Sequence, residues 1–108
     1  MNKRLHFSKE LVPLILSGKK NSTWRLWDDK NLQVGDVVDF LESKTEKHFV
    51  TVKITKVIEK KMGKLEIGDK QGHEKFKNDD EMYRTYLGYY KKDVTPDTVV
   101  KIVWFEPV

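Results

Sequence analysis

The sequence predicts an α+β domain built as a small β-barrel of about five to six strands with two or three flanking helices. Two observations carry this. Short stretches rich in β-branched and aromatic residues recur along the chain with turn residues between them, a spacing that favours a barrel over a doubly wound sheet. Helical spacing of apolar residues shows in two places, an early short segment and a late longer one. With 108 residues and no internal shift in composition, one domain covering residues 1–108 is expected. Three Trp, four Tyr and five Phe supply much of the apolar area that its core requires.

In chain order, Leu5 and Phe7 alternate with Arg4 and His6, the pattern of a half-buried strand. Ser8 is placed to cap a short helix carrying Leu11, Val12, Leu14, Ile15 and Leu16, which Pro13 forces to begin irregularly and Gly18 ends. Ser22 to Trp27 reads as a second strand, with Thr23 and Arg25 on one face and Trp24 and Leu26 on the other. A polar turn follows, and Gly35-Asp36 turns the chain into a strand from Val37 to Leu41. Phe49 to Ile58 is a long strand whose apolar phase slips after Ile54, which calls for a bulge near Thr55 or Lys56. Residues 59 to 78 lack periodicity and read as loops and short helical turns, a natural home for a functional loop. Asn78 or Asp79 caps a helix through Leu87, with Met82, Tyr83, Tyr86 and Leu87 as its buried stripe and Gly88 as its stop. Thr95-Pro96-Asp97 then turns the chain into a last strand, Val99 to Phe105.

Composition narrows the chemistry. Cysteine is absent, which removes disulfides, thiolate metal sites and thiol nucleophiles. No export signal opens the chain, and the apolar stretch Leu11 to Leu16 is too short to span a bilayer, so a soluble cytoplasmic protein is expected. His6, His48 and His73 form no metal-ligand spacing, and neither a phosphate-binding loop nor a nucleophile elbow occurs; no metal and no cofactor are expected. The formal net charge of +4 is ordinary for a small domain. Its distribution is less so. Residues 1 to 25 carry Lys3, Arg4, Lys9, Lys19, Lys20 and Arg25 against Glu10, a net +5, whereas residues 66 to 82 net −3. Either the two meet as a cleft with carboxylates facing cations, or the first is a footprint for a polyanion.

Gly18-Lys19-Lys20-Asn21-Ser22-Thr23-Trp24-Arg25 fits the pattern G-x-K-x-x-T-x-R where the first helix meets the second strand. Gly18 lets the backbone turn, Lys20 leaves that turn on a flexible stem from which its ammonium can bend toward the Thr23 hydroxyl, and Thr23 and Arg25 share a face. On spacing alone an ordinary basic turn after a helix end is the favoured account of these residues. Of the aromatic residues, Trp24 and Trp104 read as core; Trp27 and Tyr89 stay open between core and base stacking.

That motif, followed by Val34-Gly35-Asp36-Val37-Val38 and by the closing Glu106-Pro107-Val108, resembles the ASCH family, whose members share a PUA-like barrel. The resemblance implies an RNA-interacting module or, in one branch, a small amidohydrolase that removes the acyl group from N4-acetylcytidine with a Lys, a Thr and a Glu. Carried over, these are Lys20, Thr23 and Glu74, with Glu66 and Glu81 as alternatives for the acid. Lys19, Arg25, Trp27 and His73 are then candidates for holding RNA or a modified pyrimidine nucleoside. A non-catalytic RNA-binding module is the alternative, and a ribonuclease using Lys20, Arg25 and His73 is a third reading. A monomer is the default expectation.

Overall fold

The computed structural model describes residues 2–27, 30–66, 68–70, 72–73 and 76–108. Its described strands are β1 (Lys3–Phe7), β2 (Ser22–Leu26), β3 (Val37–Glu42), β4 (His48–Lys61) and β5 (Val99–Pro107), and they form one sheet in the order β1-β3-β4-β5-β2. β1 lies parallel to β3, and the other neighbours are antiparallel. The two α-helices, α1 (Val12–Leu16) and α2 (Asp79–Tyr90), complete an α+β half-barrel.

β4 is the strand that curls the sheet. Over its 14 residues it pairs first with β3, from Lys53 opposite Val37 to His48 opposite Leu41, and then with β5 as far as Lys61 opposite Val99. The register on β5 slips between Ile54 and Lys56, which is the bulge that the change of apolar phase calls for. An extra residue on one strand bends it and sharpens its twist, so one strand can serve two neighbours lying in different directions.

Alternation divides the strands between two apolar clusters. The concave face gathers Leu5, Phe7, Val38, Phe40, Val52, Ile54, Val103 and Phe105, with Ile15 of α1 and Leu32 closing it. The convex face presents Trp24, Leu26, Val100 and Ile102, covered by Met82 and Tyr86 of α2 and by Met62. Trp24 is therefore core, as expected. Trp104 is half-buried at the margin of the same cluster, with the Lys56 ammonium 4.9 Å above its ring.

Four local expectations need correction. Ser8 makes no side-chain cap bond; it precedes a 3-10 turn, Lys9–Leu11, which takes up the irregular start that Pro13 demands. α2 does not stop at Gly88 but continues to Tyr90, and Lys91 ends it in the left-handed conformation, φ 58°. The cause is tertiary: the Leu26 N–H donates to the Tyr90 hydroxyl at 3.1 Å, which holds the extra turn against β2. Leu87 is 43 % exposed, so the buried stripe consists of Met82 and Tyr86 with Tyr83 and Tyr90 partly covered beside them. β4 also runs three residues beyond the expected Ile58. The N-cap of α2 is as read, with Asn78 Oδ1 accepting from the Glu81 N–H at 2.9 Å. No described helix is long and apolar enough to cross a membrane.

Candidate functional site

β1 and β2 are the two edges of the curled sheet, and the seam between them is not closed by a ladder. A cleft of about 270 Å³ opens there. One wall is the end of β1, His6 and Phe7 with Ser8; the other is Thr23, Trp24 and Arg25 of β2. Arg25 reaches across, its guanidinium 5.0 Å from the Phe7 ring centroid and its Nη2 donating weakly to the His6 carbonyl at 3.4 Å.

Lys20 enters this cleft from the turn after α1. Gly18, at φ +81°, supplies the left-handed step that lets the chain double back, and the Lys20 N–H then donates to the Leu14 carbonyl at 3.0 Å. The Lys20 side chain is only 2 % exposed, and its Nζ donates to the Ser22 carbonyl at 2.7 Å. Expectation had this nitrogen bending toward the Thr23 hydroxyl; among the bonds between described residues it gives one to the backbone one residue earlier. Thr23 is 5 % exposed and lines the same cleft. Lysine is among the residues least often buried to this degree.

The third wall comes from the loop before α2. The Gly72 carbonyl accepts from the N–H groups of Asn21 and Ser22, at 2.9 and 3.1 Å, which docks the loop onto the start of β2. Only glycine fits this position: φ is +80°, and a Cβ would lie 1.7 Å from Asn21 Oδ1. Docking places His73 in the cleft, 6 % exposed, its ring stacked on Trp24 at 4.1 Å and its Nε2 3.1 Å from the Tyr86 hydroxyl. Further back, Asp69 ties the same loop to β4. Burial pushes its carboxyl up, but the Lys60 ammonium at 2.7 Å and the Glu66 N–H at 2.8 Å outweigh this and hold it below the usual carboxylate range. The bond from Asp69 raises Lys60 above the usual lysine range in turn.

The structure thus brings Lys20, Thr23, Arg25 and His73 to one cleft. Lys19 is exposed and not among its lining residues, and Trp27 stands on the far side of Arg25. Glu74 lies outside the described residues. Neither of its alternatives lines the cleft: Glu66 gives its N–H to Asp69, and Glu81 sits in a separate depression with Asn78 and Arg84. Among the described residues the acidic segment meets the basic one through the Gly72 carbonyl and through His73 stacked on Trp24. Among the described residues no group of three His, Asp or Glu side chains is placed to hold a metal ion.

Trp24, Tyr89 and Tyr90 also line the cleft, as does Tyr86, which sequence reasoning assigned only to the buried stripe of the helix. A helix stripe containing Tyr rather than Leu was the available signal, because a buried Tyr hydroxyl needs a polar partner.

No family model matches the sequence, and no curated protein matches it. Solved structures share the fold. A protein of Enterococcus faecalis assigned to the DUF984 family superposes with a TM-score of 0.81 at 21 % identity, over 100 % of this chain and 77 % of that one. An ASCH domain from Lactobacillus crispatus gives 0.71 at 15 % identity, covering 97 % and 79 %. The ASCH protein of Zymomonas mobilis gives 0.66 at 11 %, covering 96 % and 68 %. The chain has the ASCH-like, PUA-like fold that its N-terminal motif suggests.

Proposed function

We propose that the cleft binds a cytidine derivative and that the protein is an amidohydrolase acting on N4-acylcytidines such as N4-acetylcytidine. The observation that carries this is that the buried Lys20 lines the same small cleft as Thr23. A volume near 270 Å³ is slightly below the roughly 300–1,000 Å³ of small-molecule sites and suits one nucleoside, not a folded nucleic acid. Aromatic walls suit a planar base.

In the proposed reaction Thr23 Oγ attacks the acyl carbonyl while Lys20 Nζ takes its proton. The bond from carbonyl carbon to N4 breaks, N4 receives a proton as the cytosine leaves, and the acyl group stays as an ester on Thr23. Water then hydrolyses the ester to a carboxylic acid. The reaction requires Lys20 to be neutral at its start. Glu74 is the group proposed to pass the proton to N4 and to position water, and Arg25 to hold the base or ribose oxygen.

The assay is incubation with N4-acetylcytidine and detection of cytidine by mass. Thr23→Val should lower kcat/KM by about a thousandfold or more, and Lys20→Met, which keeps the buried stem, should do likewise. Turnover that is absent from the parent protein, or unchanged in a folded Thr23→Val variant, excludes the hydrolase. Nucleoside binding without turnover would favour the non-catalytic module.

A further inference from the structure

We infer that Tyr89 forms a sugar-binding position at the mouth of the cleft and is the residue that makes a whole nucleoside preferred over its free base. This deepens the proposed function and rests on the cleft holding a cytosine.

The lining of the cleft is graded in depth. Lys20, Thr23, His73 and Tyr86 are buried, whereas Tyr89 is 57 % exposed. The proposed chemistry sets which end of a ligand goes where. The acyl carbonyl has to reach Thr23, so the acyl group lies deepest and the base next to it. The sugar, carried on the side of the ring opposite N4, lies outermost, and there it meets Tyr89.

Ring orientation suits the same pose. Trp24 and Tyr86 are inclined by 17° to one another, and His73 by 18° to Trp24, so the inner rings are nearly parallel. Tyr89 stands at 86° to Tyr86, with the ring centroids 5.6 Å apart. A nucleoside has this angle built in, because its sugar stands roughly upright from the plane of its base. A base that enters parallel to the inner rings therefore turns its sugar toward the face of Tyr89, which offers apolar area to the sugar C–H groups. On the β1 side the lining includes Ser8, which makes no cap bond, and Ser43, two hydroxyl side chains that suit the hydroxyls of a sugar.

The helix reaches this far against local preference. Gly88 has weak helix propensity, yet α2 runs on to Tyr90, secured by the bond from the Leu26 N–H to the Tyr90 hydroxyl. That last turn is what sets Tyr89 at the mouth.

The test is calorimetry with cytidine and with cytosine on the parent protein, Tyr89→Ala and Tyr89→Phe. The parent should bind cytidine about tenfold or more tightly than cytosine. Tyr89→Ala should weaken cytidine binding about fivefold or more and leave cytosine within about twofold, and Tyr89→Phe, which keeps the ring, should hold most of the cytidine affinity. Equal affinity of the parent for the two ligands, equal losses for both in Tyr89→Ala, or no loss of cytidine binding overturns the sugar position. Binding of neither ligand overturns the proposed function with it. Failure to hydrolyse N4-acetylcytidine removes the chemistry and leaves the binding outcomes intact, so the two failures are distinguishable. Tyr89 is exposed, and matching melting curves will show that the variants fold.

Discussion

The two faces of the sheet are built from different materials. The concave cluster is aliphatic with a small set of Phe rings, Phe40 packing on Phe7 and Phe105 at centroid distances of 4.5 and 4.9 Å. It has no hydrogen-bonding duties. The convex cluster is aromatic and partly polar, a run of Trp24, His73 and Tyr86 in which stacking and one hydrogen bond fix the rings together. The first face makes the barrel, and the second, which borrows a loop and a helix, makes the third wall of the cleft. The cleft draws on both faces, Phe7 with Thr23 and Arg25 from the first and Trp24 with His73 and Tyr86 from the second, so perturbing each face should affect folding and binding in different proportions.

The largest effect is expected on the concave face. Phe40→Ala empties a site 1 % exposed and should cost about 3–5 kcal/mol in urea unfolding, with the whole domain lost together. Gly72→Ala sets a Cβ against Asn21 at an unfavourable φ; a loss of roughly 1–3 kcal/mol is expected, read as faster limited proteolysis between residues 62 and 78 before the sheet unfolds. Uniform proteolysis across the chain would show that the loop and the sheet are one unit. Tyr86→Phe removes the hydroxyl that meets His73 and should cost about 1 kcal/mol, while binding in the cleft changes more than stability does.

The smallest effect is in pH. Asp69 sits below its ordinary value, so its contribution is present above about pH 4 and is lost as the pH falls through the lowered folded value. Lys60 sits above its ordinary value, so its contribution is present below about pH 10 and is lost as the pH rises through the raised one. The stability gap between the parent and Asp69→Asn should therefore be flat across neutral pH and close in acid. A gap that does not narrow as the solution is acidified would show that the carboxylate charge is not what anchors the loop.

The concave face was legible because period two is a property of neighbouring residues: Leu5 and Phe7, Val52 and Ile54, and the slip at Thr55 all show in a short window. The cleft was legible only where it lies on a strand or its adjoining turn, at Lys20, Thr23 and Arg25. His73 enters through a segment without periodicity, held by a Gly72 carbonyl and an Asp69 ion pair whose partners are remote in sequence. The end of α2 was misread for a related reason, since the hydrogen bond from Leu26 to Tyr90 outweighs the weak helix propensity of Gly88. The parallel pairing of β1 with β3 leaves no local trace.

The unjoined edges have a mechanical consequence. Elsewhere in the sheet the spacing of strands is fixed by ladders of amide bonds, whereas across the mouth it is fixed by a side chain, Arg25, resting on Phe7 and on one carbonyl of β1. The gap is therefore compliant where the rest of the wall is stiff. That contact is made by a rotatable side chain and not by backbone, so among the described residues the width of the mouth depends on the rotamer of Arg25.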